Sequence, residues 1–178
     1  LEFRNIAPTD SADAWLDRFL ALEAAGWKGV AGTAMASSPA ETEYFRRSLG
    51  AAHEAGTLHM PSLFLDGEPI AMQCNVLGPR GGFALKVAFD ERYAKYSPGA
   101  LLELDNIADL LGRLDFAAMD SCTMRDHPLM HRLWKDTRVI EHLLVAPGGG
   151  VARLVVRAYP LLQALKRRLA GDGGPRAR

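Results

Sequence analysis

The stretch GFALKVAFD at residues 82–90, followed by SPGALL at residues 97–102, decides the fold. In the first part, apolar side chains alternate with small or charged ones, as in a strand with one apolar face: Phe83, Leu85, Val87 and Phe89 against Ala84, Lys86, Ala88 and Asp90. In the second part, Ser97 can cap a helix whose first turn accepts Pro98 and Gly99. A helix N-terminus attracts anions, so this turn indicates a site for cofactor phosphates, unless it is an ordinary strand-to-helix connection.

Size and charge are those of a single globular domain. The chain has 178 residues, of which 48% are hydrophobic and 24% charged, and its formal net charge is zero. Nothing global therefore points to nucleic acid. From Gly150 onward, seven Lys and Arg face one Asp, a net +6, so the preceding part carries −6. Such a basic end can contact acidic lipid or another subunit, or it can be a solvated tail.

The two cysteines indicate a reducing compartment. Cys74 and Cys122 lie in strand-like runs outside any metal-ligand spacing, which predicts buried free thiols. His127 and His131 are one helical turn apart but lack a third ligand, so we predict no metal. Neither a transmembrane segment nor a signal-peptide pattern occurs in the sequence. We expect a cytoplasmic protein of bacterial type, with peripheral membrane contact left open.

Helical and strand periods follow one another in the order α-α-β-β-β-α-β-α-β-α. Caps predict helices from about Asp10 to Ala25 and from Ala40 to Ala55. Pro61 predicts an interruption in the strand 58–65, and Asp66-Gly67 predicts a hairpin. The helix after Ser97 has helically spaced apolar residues, which are Leu101, Leu104, Ile107, Ala108 and Leu111.

Further strands are predicted at residues 116–122 and 139–145, and a last amphipathic helix, kinked at Pro160, at residues 151–169. This organisation predicts a domain at 1–147, a C-terminal helix at 148–170 and a flexible basic tail at 171–178. The fold class is α/β (α+β), with a mixed sheet and helices on both faces.

Several short motifs occur in a distinctive order. They are GWKG at 26–29 with Gly32-Thr33, DGEPIA at 66–71, Leu85-Lys86 with FDE at 89–91, YSPGALL at 96–102, DSC at 120–122, DHP at 126–128, and Trp134. Together with the element order, they resemble the GNAT acyltransferase fold, and more closely the acetyltransferase-like domain of the CelD/BcsL cellulose-biosynthesis family. The resemblance extends to FemABX-like tandem GNAT proteins. It therefore implies the C-terminal part of a longer protein, with an N-terminal GNAT-like half or a second copy as partner.

The resemblance implies acetyl-CoA or another acyl-CoA as donor, with no metal. The thioester arm would lie between two splayed strands, here 82–90 and 115–122. Ordinary GNAT enzymes have Gln/Arg-x-x-Gly-x-Gly/Ala at the cofactor loop, whereas this chain has KYSPGA at residues 95–100, where proline gives no N–H donor. The cofactor-binding residues implied are Val87, Ala88, Ser97, Gly99, Ala100 and Leu101.

Three residues are candidates for the chemistry, each with a structural alternative. Lys86, between two alanines that leave room for a ligand, can stabilise an oxyanion or hold a substrate acid, or it can simply reach solvent from an exposed sheet face. Asp120 can act as a base or orient an amine, or it can cap the following turn. His127 can take a proton near neutral pH, or it can cap the helix it precedes.

Three functions are open at this point. The first is an N-acyltransferase that moves an acyl group from acyl-CoA to the amine of a small molecule or of a cell-envelope or polysaccharide precursor. The second keeps the fold but uses aminoacyl-tRNA, the one alternative that would involve nucleic acid. The third is a degenerate GNAT module that binds a partner in polysaccharide production.

Overall fold

The computed structural model describes residues 1–113, 117–123, 130–140, 143–146 and 148–169, with side chains to residue 166. Its strands are β1 (Glu2–Arg4), β2 (Leu58–His59), β3 (Ser62–Leu65), β4 (Glu68–Gly78), β5 (Gly81–Phe89) and β6 (Ala118–Asp120). Its α-helices are α1 (Ala12–Ala25), α2 (Trp27–Val30), α3 (Pro39–Glu54), α4 (Pro98–Leu111), α5 (Met130–Leu133) and α6 (Gly150–Leu169). Short 3₁₀ helices occupy Met35–Ser37 and Glu91–Tyr96.

The chain forms two compact units, Leu1–Lys135 and Asp136–Arg178. The first unit contains a six-stranded sheet in the order β1-β3-β4-β5-β6, with β2 also pairing with β4. All neighbours are antiparallel except β5 and β6, which are parallel. The predicted mixed sheet with flanking helices is confirmed.

Short-range sequence signals explain the helix caps, the strand break and the hairpin turn in the first half of the unit. Ser11 and Ser38 cap α1 and α3 by accepting hydrogen bonds from backbone N–H groups three residues on. Met60 and Pro61 separate β2 from β3, as the proline predicted. Asp66 and Gly67 both have positive φ, at 53° and 88°, which is the conformation a two-residue hairpin turn requires.

Helices cover both faces of the sheet, because successive residues of β4 point to opposite sides. On one face, Met72 and Cys74 pack with Leu16 and Phe19 of α1 and with residues of α3. On the other face, Ala71 packs with Leu102 of α4. Strand β4 is therefore the buried centre of the unit.

A β-bulge changes the expected faces of β5. Cys74 pairs with Lys86, but the next residue, Asn75, pairs with Ala84, so Leu85 is an extra residue in β5. Cross-strand partners share a face, so the alternation reverses at this point. The prediction of one continuous apolar face is wrong: Phe83 and Leu85 are 48% and 46% exposed, whereas Val87 packs towards the α4 side.

The buried face of α4 also differs from the prediction. Leu101, Leu104 and Leu111 are exposed, and the helix instead buries Pro98, Leu102, Glu103, Asn106 and Leu110. The reason is that two polar residues, Glu103 and Asn106, pair beneath the sheet and turn the helix away from the orientation that its leucines favour.

The second unit contains α6 over Gly150–Leu169, with Pro160 inside it, close to the predicted bounds. A strand at 139–145 was expected; residues 139–140 and 143–146 lie outside any strand, and 141–142 fall outside the described residues. Val139 and Leu143 are exposed there, and an isolated apolar run without a ladder partner does not form a strand. The predicted basic tail at 171–178 also lies outside the described residues.

Candidate active site

The gap between β5 and β6 is the main feature of the candidate site. The two strands pair only where Gly81, Gly82 and Phe83 meet Ala118, Met119 and Asp120. A Cβ on Gly81 would lie 2.5 Å from the Ala118 carbonyl oxygen, so only glycine allows this close approach. Beyond Phe83, no described strand pairs with this side of β5, and the strand leaves an open edge up to Phe89.

The open edge presents backbone groups of Val87 and Phe89. Asp90 donates its N–H to the carbonyl of Ile70 at 2.9 Å, which fixes the alternation between β5 and β4. By that alternation, the N–H and C=O of Ala88 and Lys86 point towards β4, and those of Val87 and Phe89 point outward. Ala88, predicted to bind cofactor, is turned away from the edge, and its methyl group packs in the core.

A buried carboxylate lies beside the edge. Glu23 on α1 is only 2% exposed, and its Oε1 accepts hydrogen bonds from Lys86 Nζ at 2.9 Å and Lys28 Nζ at 3.2 Å. Its Oε2 accepts from the Met35 N–H at 2.8 Å. Burial by itself raises the pKa of Glu23, but the Met35 N–H and the two lysines outweigh it and hold that pKa below its ordinary value. Glu23 is therefore a carboxylate fixed between two cations.

The surroundings of Lys86 therefore differ from those that the sequence predicted. Of the two alanines expected beside it, Ala88 is buried and the bulge places Ala84 on the opposite face of the sheet, so the expected alanine-lined opening is not formed. The Lys86 ammonium neither reaches freely into solvent nor faces an open pocket; it pairs with Glu23. Its partner lies 63 residues away on α1, a contact that no local sequence signal reveals.

Lys28 reaches the edge itself. Its Nζ donates to the Val87 carbonyl oxygen at 3.1 Å while it also pairs with Glu23. The Trp27-Lys28 pair belongs to the GWKG motif at residues 26–29. In the structure, the short helix α2 brings Lys28 to the backbone that a ligand between the splayed strands would meet.

The N-terminus of α4 follows β5 through the 3₁₀ helix, which Asp90 caps by accepting from the Arg92 N–H. A Cβ on Gly99 would lie 3.5 Å from the Phe89 ring, so the start of α4 adjoins the end of β5. Ser97 has a left-handed backbone, with φ of 53°.

Four residues at this helix start, Ser97, Gly99, Ala100 and Leu101, were predicted to bind cofactor, but most of their N–H groups already have an acceptor. Ser97 N–H donates to Ala94 O at 2.9 Å, and the N–H groups of Ala100 and Leu101 both donate to Ser97 O. Of the four predicted donors, Gly99 alone has an N–H without a backbone acceptor among the described residues. The helix start retains its partial positive charge, since that charge comes from the aligned peptides of the whole helix.

Asp120 lies where β5 and β6 separate, because its cross-strand partner is Phe83. Its Oδ1 accepts from the Cys122 N–H at 2.8 Å, so it caps the turn after β6, as the structural alternative supposed. His127 lies outside the described residues, so the structure does not place it relative to Asp120.

A second polar cluster, missed by the sequence analysis, runs beneath the sheet on the α4 side. Glu103 Oε1 accepts from Trp134 Nε1 at 3.0 Å and from Asn106 Nδ2 at 3.4 Å. Asn75 Nδ2 donates to Asn106 Oδ1 at 3.2 Å and lies 3.1 Å from His59 Nδ1. The spacing of Glu103 and Asn106, three residues apart on a helix, was the available signal for this cluster.

Burial sets the charges of this second cluster. It raises the pKa of Glu103 and lowers that of His59, because burial disfavours the charged form of each group. His59 Nε2 lies 2.9 Å from Asp109 Oδ2 at the outer end of the cluster. Within the described ranges, no group of three or more His, Cys, Asp or Glu residues could hold a metal ion.

The comparisons with known proteins agree with this architecture. The chain belongs to the acetyltransferase (GNAT) domain family, whose model matches residues 2–127. The class of protein is therefore an acetyltransferase, and GNAT acetyltransferases use acetyl-CoA. No curated protein sequence matches the chain.

Solved structures share the fold at low sequence identity. A GCN5-related N-acetyltransferase from Ralstonia eutropha JMP134 is 18% identical with a TM-score of 0.56, covering 82% of this chain and 98% of that one. A ribosomal-protein-alanine N-acetyltransferase from Brucella melitensis biovar Abortus 2308 is 13% identical, with a TM-score of 0.53 and coverage of 82% and 99%. An aminoglycoside acetyltransferase from an uncultured soil metagenomic sample, in complex with sisomicin, is 12% identical, with a TM-score of 0.56 and coverage of 81% and 95%.

Proposed function

We propose that this acetyltransferase moves an acyl group from acetyl-CoA or a related acyl-CoA to the amine of a small molecule or of a cell-envelope or polysaccharide precursor. The observation that carries the proposal is the open edge of β5 beside the N-terminus of α4. An extended donor arm can pair its amides with the outward backbone groups of Val87 and Phe89. Its phosphates can then lie at the start of α4, close to the Gly99 N–H.

Acyl transfer to an amine needs a positioned thioester, a deprotonated amine and a donor group for the oxyanion. We place Asp120, at the point where the strands separate, as the group that orients the amine or accepts its proton, with His127 as the alternative base. The ion pair with Glu23 supports a positioning role for Lys86, which holds the carboxylate beside the edge. The motif likeness to CelD/BcsL proteins supports the envelope or polysaccharide acceptor.

Thermal stabilisation by acetyl-CoA tests the donor. A ligand at 100 times its dissociation constant stabilises the native state by about 2.7 kcal/mol, which raises the melting temperature measurably. Gly99→Asp places a negative charge at the start of α4 and should weaken acetyl-CoA binding at least about tenfold. Leu111→Asp adds the same charge at an exposed position at the far end of the helix and is the matched control. Equal loss in both variants, or no shift in the wild type, would refute this binding mode.

A second candidate function is a GNAT module that binds a partner without catalysis. It is favoured by the Lys28 ammonium on the Val87 carbonyl and by the N–H groups of Ser97, Ala100 and Leu101 that are already engaged. Stabilisation by acetyl-CoA without turnover of any amine tested would support it. A salt-sensitive complex with aminoacyl-tRNA, without an acetyl-CoA shift, would instead favour the aminoacyl-tRNA-dependent transferase of the FemABX kind.

A further inference from the structure

Helix α6 has an apolar stripe that the described residues of its own unit, Asp136–Arg178, do not cover. Its residues follow the i, i+3, i+4, i+7 spacing of one helix face: Val151, Leu154, Val155, Ala158, Leu161, Leu162 and Leu165. Every valine and leucine of this stripe is more than half exposed. A contiguous exposed apolar face of this length indicates a surface that binds something.

The charges on the same helix are all of one sign. Residues 150–169 contain five Lys and Arg, namely Arg153, Arg157, Lys166, Arg167 and Arg168, and no Asp or Glu. Since an α-helix turns about 100° per residue, Arg153 lies on the side away from the stripe, whereas Arg157 and Lys166 lie at its two borders. A second copy of this helix would bring basic side chains against basic side chains, so the charge favours an anionic surface instead.

Pro160 fits a helix that is apolar on one side only. Since an α-helix turns about 100° per residue, Pro160 lies nearly opposite the centre of the stripe. Proline has no N–H, so the Val156 carbonyl loses its intrahelical donor, and Val156 is also on the side away from the stripe. The unpaired carbonyl therefore faces water when the stripe is buried in an apolar layer.

The length and composition of α6 distinguish lying on a membrane from crossing it. Twenty residues span about 30 Å, but no helix in the described residues is long and apolar enough to cross a bilayer. A basic amphipathic helix with a strong apolar face binds instead in the plane of the interface, with its apolar side among the acyl chains.

We propose that α6 binds an anionic lipid surface, with the stripe inserted between acyl chains and the arginines and lysines at the lipid phosphates. This function is independent of acyl transfer. The ligand in this proposal is a lipid bilayer with acidic head groups, and not a second copy of the chain.

Vesicle flotation of the full chain tests the proposal. The protein should float with phosphatidylcholine vesicles that contain phosphatidylglycerol and bind at least about tenfold more weakly to phosphatidylcholine alone. High salt should remove most of that difference, because it screens the attraction between basic side chains and lipid phosphates. Equal binding to both lipids, or binding to neither, overturns the proposal without bearing on acetyl-CoA binding.

Two substitutions separate the stripe from total charge. Leu161→Asp places a negative charge in the stripe and should abolish flotation. Ala164→Asp places the same charge on the basic side and should weaken binding by about fivefold or less. Both variants should keep the melting temperature of the wild type. A different outcome would be a wild-type dimer in sedimentation that Leu161→Asp dissociates, with no binding of either protein to vesicles. In that case the stripe is an interface between copies and the proposal is wrong.

Discussion

Glu23 links several segments of the first unit beside the open edge of β5. It is a buried carboxylate whose two oxygens accept from two lysines and one backbone N–H. Each partner comes from a different segment: Lys28 from α2, Met35 from a 3₁₀ helix and Lys86 from β5. The carboxylate therefore ties three segments to α1 next to the candidate site.

Replacement of Glu23 by Gln should lower the free energy of unfolding by about 2–3 kcal/mol, because it leaves two ammonium groups without their counter-charge. Urea unfolding near neutral pH measures the loss. Glu43→Gln is the matched control, since Glu43 pairs with Arg47 in an exposed i,i+4 pair worth about 0.5 kcal/mol or less. Similar losses in the two variants would contradict a structural role for Glu23.

The buried carboxyl of Glu103 makes the stability of the protein depend on pH. Burial raises its folded pKa above 4.5, so the native protein keeps a proton that the unfolded chain has already released. Stability from this group is therefore lost as pH rises through the interval between the unfolded and folded pKa values. The pKa of Glu103 is raised because ionising this buried carboxyl costs free energy.

Glu103→Gln removes that loss, because the amide stays neutral and its oxygen can still accept from Trp134 and Asn106. We expect the free energy of unfolding of the variant, relative to wild type, to rise as the pH increases from about 4 through the raised pKa of Glu103. Urea titrations across that range measure the difference. A difference that is constant with pH would show that the Glu103 carboxyl does not titrate differently in the two states.

At the scale of elements, the hairpin turn and the caps of α1 and α3 were predictable, whereas the predicted side-chain cap of Ser97 on α4 is not formed and the helix and strand faces were not predictable. Ser11, Ser38 and the Asp66-Gly67 pair act through backbone groups within a few residues, so the sequence contains the whole interaction. The faces of β5 and α4 depend on distant partners. The bulge at Leu85 is defined only by the register with β4, and the rotation of α4 only by its polar contacts beneath the sheet.

The candidate site divides in the same way. The strand, the loop and the start of α4 were located from their local patterns, and Lys86 was a candidate for the chemistry within that strand. Its pairing with Glu23 joins segments far apart in sequence, so no pattern within β5 could indicate it. The Ala100 and Leu101 N–H groups are engaged because the carbonyl of the N-cap residue, Ser97, accepts the first hydrogen bonds of the helix. The left-handed backbone of Ser97 itself is not what a serine before proline predicts.

Two glycines, one within α3 and one just after its end, provide an element-scale test. Gly56, just after α3, has φ of 67°, whereas Gly50 lies within α3 with open space around it. Gly56→Ala should destabilise by about 1 kcal/mol, because alanine is strained at positive φ. Gly50→Ala should stabilise by about 0.5–1 kcal/mol through helix propensity. Thermal melts of the pair check both signs, and a shift of the same sign in both would contradict the assigned end of α3.

At the scale of the whole molecule, every described residue of the candidate site belongs to the unit Leu1–Lys135. The helix proposed to bind lipid belongs to the other unit, Asp136–Arg178. The two proposed activities therefore draw on separate parts of the chain, and each can be tested by substitutions that leave the residues of the other unchanged.

A chain that ends after Lys135 should fold and still be stabilised by acetyl-CoA, while its binding to anionic vesicles is lost. Circular dichroism and thermal shift measure the first two properties, and flotation measures the third. The truncated chain keeps Trp134, the partner of Glu103, so the polar cluster on α4 remains complete. Retained vesicle binding would place the lipid contact in the first unit instead.

The unpaired edge of β5 has a consequence for solubility. Outward N–H and C=O groups on a strand are a template on which the strand of another molecule can add, and such addition leads to aggregation. The ammonium of Lys28 on the Val87 carbonyl places a positive charge and a steric obstacle on that template. The bulge at Leu85 increases the local twist and makes the edge a poorer match for a flat strand. The edge of β5 that no described strand pairs is thus protected against strands from other copies of the chain.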